Sequence, residues 1–167
     1  MAMSRCFGAT SLTTRLPIET VPPLTPATYR PGGGTALYDA VAEAIERGTK
    51  ERRATDRMLV LIITDGQENS SQRATLPQVQ AAIQACQAAG DWTFVYLGPD
   101  PAKWAAETGT FLANTTQYTA SAPQASYQGL SAVTMAYRAS SNRQMVNSGI
   151  DAAVARALDD LTAPPQP

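Results

Sequence analysis

Thr35 follows three glycines, Gly32-Gly33-Gly34, and begins a helical pattern; Asp65 follows Thr64 and the apolar run Met58–Ile63 and precedes Gly66. A hydroxyl delivered by a glycine loop and a carboxylate delivered by a buried strand are both oxygen donors. Backed by backbone and water oxygens, they suit a six-coordinate hard cation. The chain has no histidine, which excludes Ser-His-Asp and Cys-His catalysis. Its two cysteines, Cys6 and Cys86, cannot replace imidazoles in a zinc site. Any metal site must therefore use oxygen, as magnesium, manganese and calcium sites do.

The elements that would position these residues follow from periodicity. Leu37, Val41, Ala44 and Ile45 share one helical face, with Thr35 as N-cap and Gly48 as one stopping point, although the charged residues through Arg53 could extend the helix. Met58–Ile63 is uninterruptedly apolar, as in a strand covered on both faces. A polar loop over 65–74 leads to Thr75-Leu76-Pro77, which starts a second helix with Val79, Ala82, Ile83 and Cys86 buried and Gly90 as its stop. Trp92 to Leu97 reads as the next strand, Pro101–Thr108 as a short helix carrying Trp104, and 111–118 as holding a short edge strand. Residues 122–140 look helical, with Tyr127, Leu130, Val133, Thr134 and Tyr137 forming a face that docks onto the sheet. Residues 150–161 form another amphipathic pattern. Strands alternating with helices imply a parallel α/β sheet, beyond whose strand carboxyl ends ligands gather. Asp65 is placed there, and Gly66 permits the sharp turn.

The stretches Gly33-Gly34-Thr35-Ala36-Leu37-Tyr38-Asp39-Ala40 and Thr64-Asp65-Gly66-Gln67-Glu68-Asn69 resemble two of the three parts of a metal-ion-dependent adhesion site. The family is the von Willebrand factor A-type (vWA) domain, in its bacterial and phage stand-alone form, and the likeness runs from about Leu12 to about Tyr118. The resemblance implies a three-layer, mostly parallel, Rossmann-like α/β fold. It implies Thr35 as a direct or near-direct metal ligand, Asp65 as a ligand directly or through water, and a partner's carboxylate completing the sphere. Gly33, Gly34, Gly66 and Glu68 would form the partner-binding rim. The family's first part, Asp-x-Ser-x-Ser, is absent from the chain, and no aspartate precedes Asp39. The expectation is thus a domain incomplete at its N-terminus, with weak or absent Mg2+ (or Mn2+ or Ca2+) binding. The missing strand would be the central one, so the segment 5–16 or a second copy of the chain is expected to pair with Met58–Ile63 in its place.

The expected boundaries are 1–30 for a strand segment and proline-rich connection, 31–140 for the α/β core, 141–161 for a C-terminal helix and 162–167 for a disordered tail. The simpler role for Thr35 is a helix cap, and for Asp65 an Asx-turn. Asp39 and Glu68 read as solvent-facing or capping charges. Gly32 to Gly34 lack the lysine of a phosphate loop. Trp92 and Trp104 read as packing residues, and Cys86 as a small buried hydrophobe.

At 167 residues the chain suits one domain, and its 44% hydrophobic content is that of a globular protein. A net charge of −1 offers no footprint for nucleic acid or an anionic membrane. No apolar run approaches a membrane span, the first residues lack a signal-peptide core, and two distant cysteines point to reduced thiols in the cytoplasm. The function expected is a non-enzymatic protein-interaction module, with a partner that presents an acidic residue. The alternatives are a small divalent-metal-dependent hydrolase or phosphotransferase using Asp65, or an inactive structural fragment.

Overall fold

The computed structural model describes residues 6–7, 10–11, 17–20, 23, 25, 27, 34–118 and, in one further helix, 127, 130, 131, 134, 135 and 137–139. The expectations for 12–16, Gly32, Gly33, the 150–161 helix and the tail lie outside the described residues. The fold is mixed α/β. Its elements are β1 (Cys6–Phe7), β2 (Thr10–Ser11), α1 (Leu37–Glu51), β3 (Met58–Ile63), α2 (Leu76–Ala88), β4 (Trp92–Gly98), α3 (Pro101–Thr108) and β5 (Thr115–Gln117). The chain divides into two compact units, residues 1–52 with 67–79, and residues 53–66 with 80–167.

The second unit holds a three-stranded sheet, ordered β3-β4-β5, in which both pairings are parallel. Met58 pairs with Trp92 and Ile63 with Leu97, so β3 and β4 run side by side over six residues. β4 is buried along its whole length, as its unbroken Trp-Thr-Phe-Val-Tyr-Leu sequence leads one to expect. Val95, Leu97, Leu130 and Tyr137 form a core cluster, against which Leu59, Leu61 and Tyr118 pack. The docking face expected between 127 and 137 is therefore split: Leu130 and Tyr137 are buried, whereas Tyr127 is exposed. Tyr96 stacks on Trp104 of α3 at 4.8 Å between ring centroids. Gly98 makes that arrangement possible, because a β-carbon there would overlap the Tyr96 ring two residues earlier on the same strand face. Gly109, at φ 74°, ends α3 in a left-handed cap.

β3 departs from its expected cover. Met58 to Leu61 are half-buried, Ile62 is buried and Ile63 is 38% exposed. Among the described residues its only strand partner is β4. The N-terminal segment expected to pair with β3 instead pairs with itself where it is described: β1 and β2 form an antiparallel pair, Cys6 opposite Ser11. A short self-pairing ribbon satisfies its own backbone groups at lower loop-closure cost than a distant strand would.

In the first unit, α1 continues through Gly48 to Glu51, with Arg52 as its C-cap. Ion pairs one turn apart, Lys50 to Glu46 at 2.6 Å and Arg47 to Glu43 at 3.7 Å, span the stretch in which glycine was the expected stop. α2 begins as its sequence indicates. Gln78 Oε1 accepts from both the backbone N–H and the hydroxyl of Thr75, the side-chain half of a capping box, with Pro77 in the first turn. Cys86 is half-buried rather than buried.

Candidate functional site

Thr35 does not cap α1. The N-cap is Ala36, whose side chain has no oxygen to offer, and Thr35 stands one residue outside the helix. The first-turn N–H groups are capped from a distant stretch instead. Tyr38 N–H donates to Glu68 Oε2 at 2.9 Å, and Asp39 N–H donates to Ser71 Oγ at 3.1 Å. A carboxylate and a hydroxyl at a helix N-terminus satisfy donors that the helix leaves open, and the negative charge suits the helix dipole.

Thr35 is tied to the same stretch through its backbone. Its N–H donates to Asn69 Oδ1 at 2.8 Å, and its carbonyl accepts from Asn69 N–H at 3.1 Å. Gly34 lets this loop approach: a β-carbon there would lie 2.6 Å from Asn69 Oδ1 and 2.7 Å from Ser70 Oγ. The close backbone approach expected of the glycine run is thus made at Gly34, toward Asn69 and Ser70.

Glu68 accepts four hydrogen bonds. Oε1 takes the N–H groups of Ser70 and Ser71 at 2.9 and 2.7 Å; Oε2 takes Tyr38 N–H and the Ser71 hydroxyl, the latter at 2.7 Å. Burial is the largest single influence on this carboxyl and raises its pKa. The Ser71 and Tyr38 N–H groups, the Ser71 hydroxyl and Ser70 N–H together outweigh burial and hold it below its ordinary value. Asp39 is only 7% exposed. Its Oδ2 accepts from Gln72 N–H at 2.9 Å, and its Oδ1 from the N–H groups of Arg73 and Ala74 at 2.9 and 2.7 Å. The Gln72 bond foremost, then those of Ala74 and Arg73 and the nearby Arg73 charge, lowers the Asp39 pKa against the opposing effect of burial. Of the two roles expected for Asp39 and Glu68, solvent-facing or capping, Glu68 takes the capping one, whereas Asp39 takes neither: it is buried and accepts three N–H groups of the loop.

In the second unit, Asp65 stands just beyond the carboxyl end of β3. Thr64 N–H extends the ladder to Leu97 O at 3.0 Å. The Thr64 hydroxyl then donates to Gly66 O at 2.8 Å and accepts Gly66 N–H at 3.2 Å, closing a tight turn around Asp65. Gly66 is not in the left-handed region. The turn is therefore held by the Thr64 hydroxyl rather than by glycine's conformational freedom. Asp65 is exposed, and its carboxylate accepts no hydrogen bond from the described residues.

The residues that the sequence reading passed over are Asn69, Ser71 and Thr64. The available signal was local: hydroxyl and amide side chains immediately after a strand, which bond backbone in turns. As metal donors, Thr35 and Asp65 supply one hydroxyl and one carboxylate, while Asp39, Glu68 and Asn69 Oδ1 accept backbone N–H groups. Among the described residues no group of three or more cysteine, aspartate or glutamate side chains is placed to hold a metal ion. A divalent cation takes six or more oxygens, more than Thr35 or Asp65 offers alone. No helix of the described residues is long and apolar enough to cross a membrane. Comparison with protein-family models, with curated proteins and with solved structures found no match.

Proposed function

We propose that this chain is a non-enzymatic protein-interaction module of vWA ancestry, Rossmann-like in its layers, with a partial metal-ion-dependent adhesion site. One observation carries the reading: Asp65 stands exposed beyond the carboxyl end of a parallel strand, in a turn closed by the bonds of the Thr64 hydroxyl to Gly66, with its carboxylate uncommitted among the described residues. Thr35 and Asp65 keep their assignment as oxygen donors, and Gly33, Gly34, Gly66 and Glu68 theirs as the rim. With few donors of its own, the module takes an ion weakly unless the partner contributes an acid. The proposed compartment is the cytoplasm, on the two distant cysteines.

Calorimetric titration with magnesium or manganese chloride tests the partial site. Wild type is expected to give small heats and Asp65→Ala smaller ones; tight, Asp65-dependent binding by the monomer overturns the reading. Asp65-dependent turnover in a phosphatase and nucleotidase screen would overturn the non-enzymatic assignment. The rim is tested by affinity capture with wild type, Thr35→Ala and Asp65→Ala, and a partner retained equally by all three refutes it.

Self-association belongs to the same proposal. β3 carries no charge and no proline, the usual means of blunting a strand edge. Hydrogen exchange at Met58–Ile63 is expected to slow as protein concentration rises.

A further inference from the structure

Seven consecutive backbone N–H groups, from Asn69 to Thr75, donate to oxygens that are neither in a sheet ladder nor in a helix repeat. Asn69 N–H bonds Thr35 O; Ser70 and Ser71 bond Glu68; Gln72, Arg73 and Ala74 bond Asp39; Thr75 bonds Gln78. Five of the seven end on two carboxylates. The two acids are exchanged. Glu68 belongs to the loop and caps the first turn of α1, whereas Asp39 belongs to that first turn and gathers the loop. Ser71 couples them, since its hydroxyl donates to Glu68 Oε2 while accepting Asp39 N–H.

Among the described residues this stretch buries little apolar surface. Gln67, Asn69, Gln72 and Arg73 are exposed, and Glu68, Ser70, Ser71 and Ala74 are half-buried. None of them has a large apolar side chain to bury. The described bonds of this stretch are polar, and five of them end on the two carboxylates.

We infer that Asp39 and Glu68 form a reciprocal clasp, through which residues 68–74 and the first turn of α1 open and close as one acid-releasable unit. Losing either carboxylate removes acceptors from both ends. Without Glu68, Ser71 loses the acceptor of both its N–H and its hydroxyl, so the group that bonds Asp39 N–H is no longer oriented. Without the Asp39 charge, three successive N–H groups are left with a weaker, neutral acceptor and Ser71 is held less firmly from its C-terminal side. Arg73 is the cation facing Asp39. Glu43 of α1 bonds Arg73 at 3.5 Å, and Glu46 also feels that charge, so both compete for it. Among the described residues no cation sets the Glu68 carboxyl, which rests on N–H and hydroxyl donors.

Both carboxyls are held below their ordinary values of 3.8 and 4.5. A depressed folded pKa gives stability that is complete above the unfolded value and is lost as pH falls through the folded one. The clasp is closed at neutral pH and opens in acid.

Residue-resolved hydrogen exchange with a chelator present, so that ion binding plays no part, tests this. Asp39→Asn and Glu68→Gln are each expected to speed exchange at Tyr38 and at Ser70 through Ala74 together, by about tenfold or more. The amides of Phe94 to Leu97 should be unchanged. If Asp39→Asn frees only 72–74 while Glu68→Gln frees only Tyr38, Ser70 and Ser71, the two caps are independent and the clasp is refuted. Should a variant fail to fold, wild type across pH carries the test. After correction for intrinsic rates, protection at Tyr38 and 70–74 should fall in concert in acid while β4 stays protected. Protection that persists until β4 itself opens overturns the proposal.

Discussion

Residues 68–74 and strand β4 are stretches of equal length held by opposite chemistries. In β4 every side chain from Trp92 to Leu97 is buried, and the backbone is laddered on one side along its length and on the other at its end. In 68–74 no large apolar side chain is buried, and the N–H groups converge on two carboxylates. Burial of apolar surface is indifferent to protonation, whereas a carboxylate clasp lasts only while the acids are charged. Structure of equal regularity can therefore respond differently to mutation and to pH.

The largest effect should come from breaking the apolar side. Phe94 is fully buried, and Phe94→Ala is expected to lower stability by about 3–5 kcal/mol in urea denaturation, through lost burial and a residual cavity. A loss well under 1 kcal/mol would mean that β4 is not the core.

pH sharpens the contrast next. Burial, aided by the Asp91 charge and opposed by Arg57, pushes the Tyr137 hydroxyl up to about 12. A raised folded pKa gives stability that is full below the unfolded value of 10 and is lost as pH rises through the folded one. Alkali should thus loosen the packing around Tyr137, while acid loosens 68–74. Tyrosinate absorbance followed with circular dichroism should show late-ionising tyrosines, Tyr137 with Tyr96, which burial also pushes up, and the last titration should coincide with loss of tertiary signal. An early titration of all six tyrosines would remove the contrast.

A smaller effect belongs to the start of α2. Gln78→Ala removes the acceptor of both Thr75 groups and should cost about 1 kcal/mol, read as a lower midpoint with an unchanged denaturant slope. The smallest is Lys50→Ala. Its ion pair with Glu46 is short, but Lys50 is 70% exposed, and no measurable change in melting temperature is expected.

The elements were legible wherever a single stretch carried its own pattern. Met58–Ile63 and the strand from Trp92 were readable as apolar runs bounded by turn residues, α2 from Thr75-Leu76-Pro77, and α3 from the stretch that opens at Pro101. What pairs with what was not legible. The α1 cap was read as Thr35 because a hydroxyl precedes the helix, yet the oxygens come from Glu68 and Ser71, 30 and 32 positions beyond the N–H groups they cap. Local spacing has no term for such partners. The burial of Asp39 was likewise hidden, since its acceptors' donors are ordinary backbone of a polar loop. At the candidate site, the position of Asp65 followed from the strand before it. That Thr64 holds its turn required knowing where a hydroxyl points.

The parallel pairing of β3 with β4 also governs how the chain must assemble. Met58 and Trp92 meet only after the whole of α2 has been laid down between them, so no hairpin can seed the sheet. Until that crossover closes, Met-Leu-Val-Leu-Ile-Ile is a sticky, uncharged segment on an unfinished chain. Refolding yield should then fall with protein concentration, and synthesis in the cell would place a premium on chaperones that shield this stretch until β4 emerges.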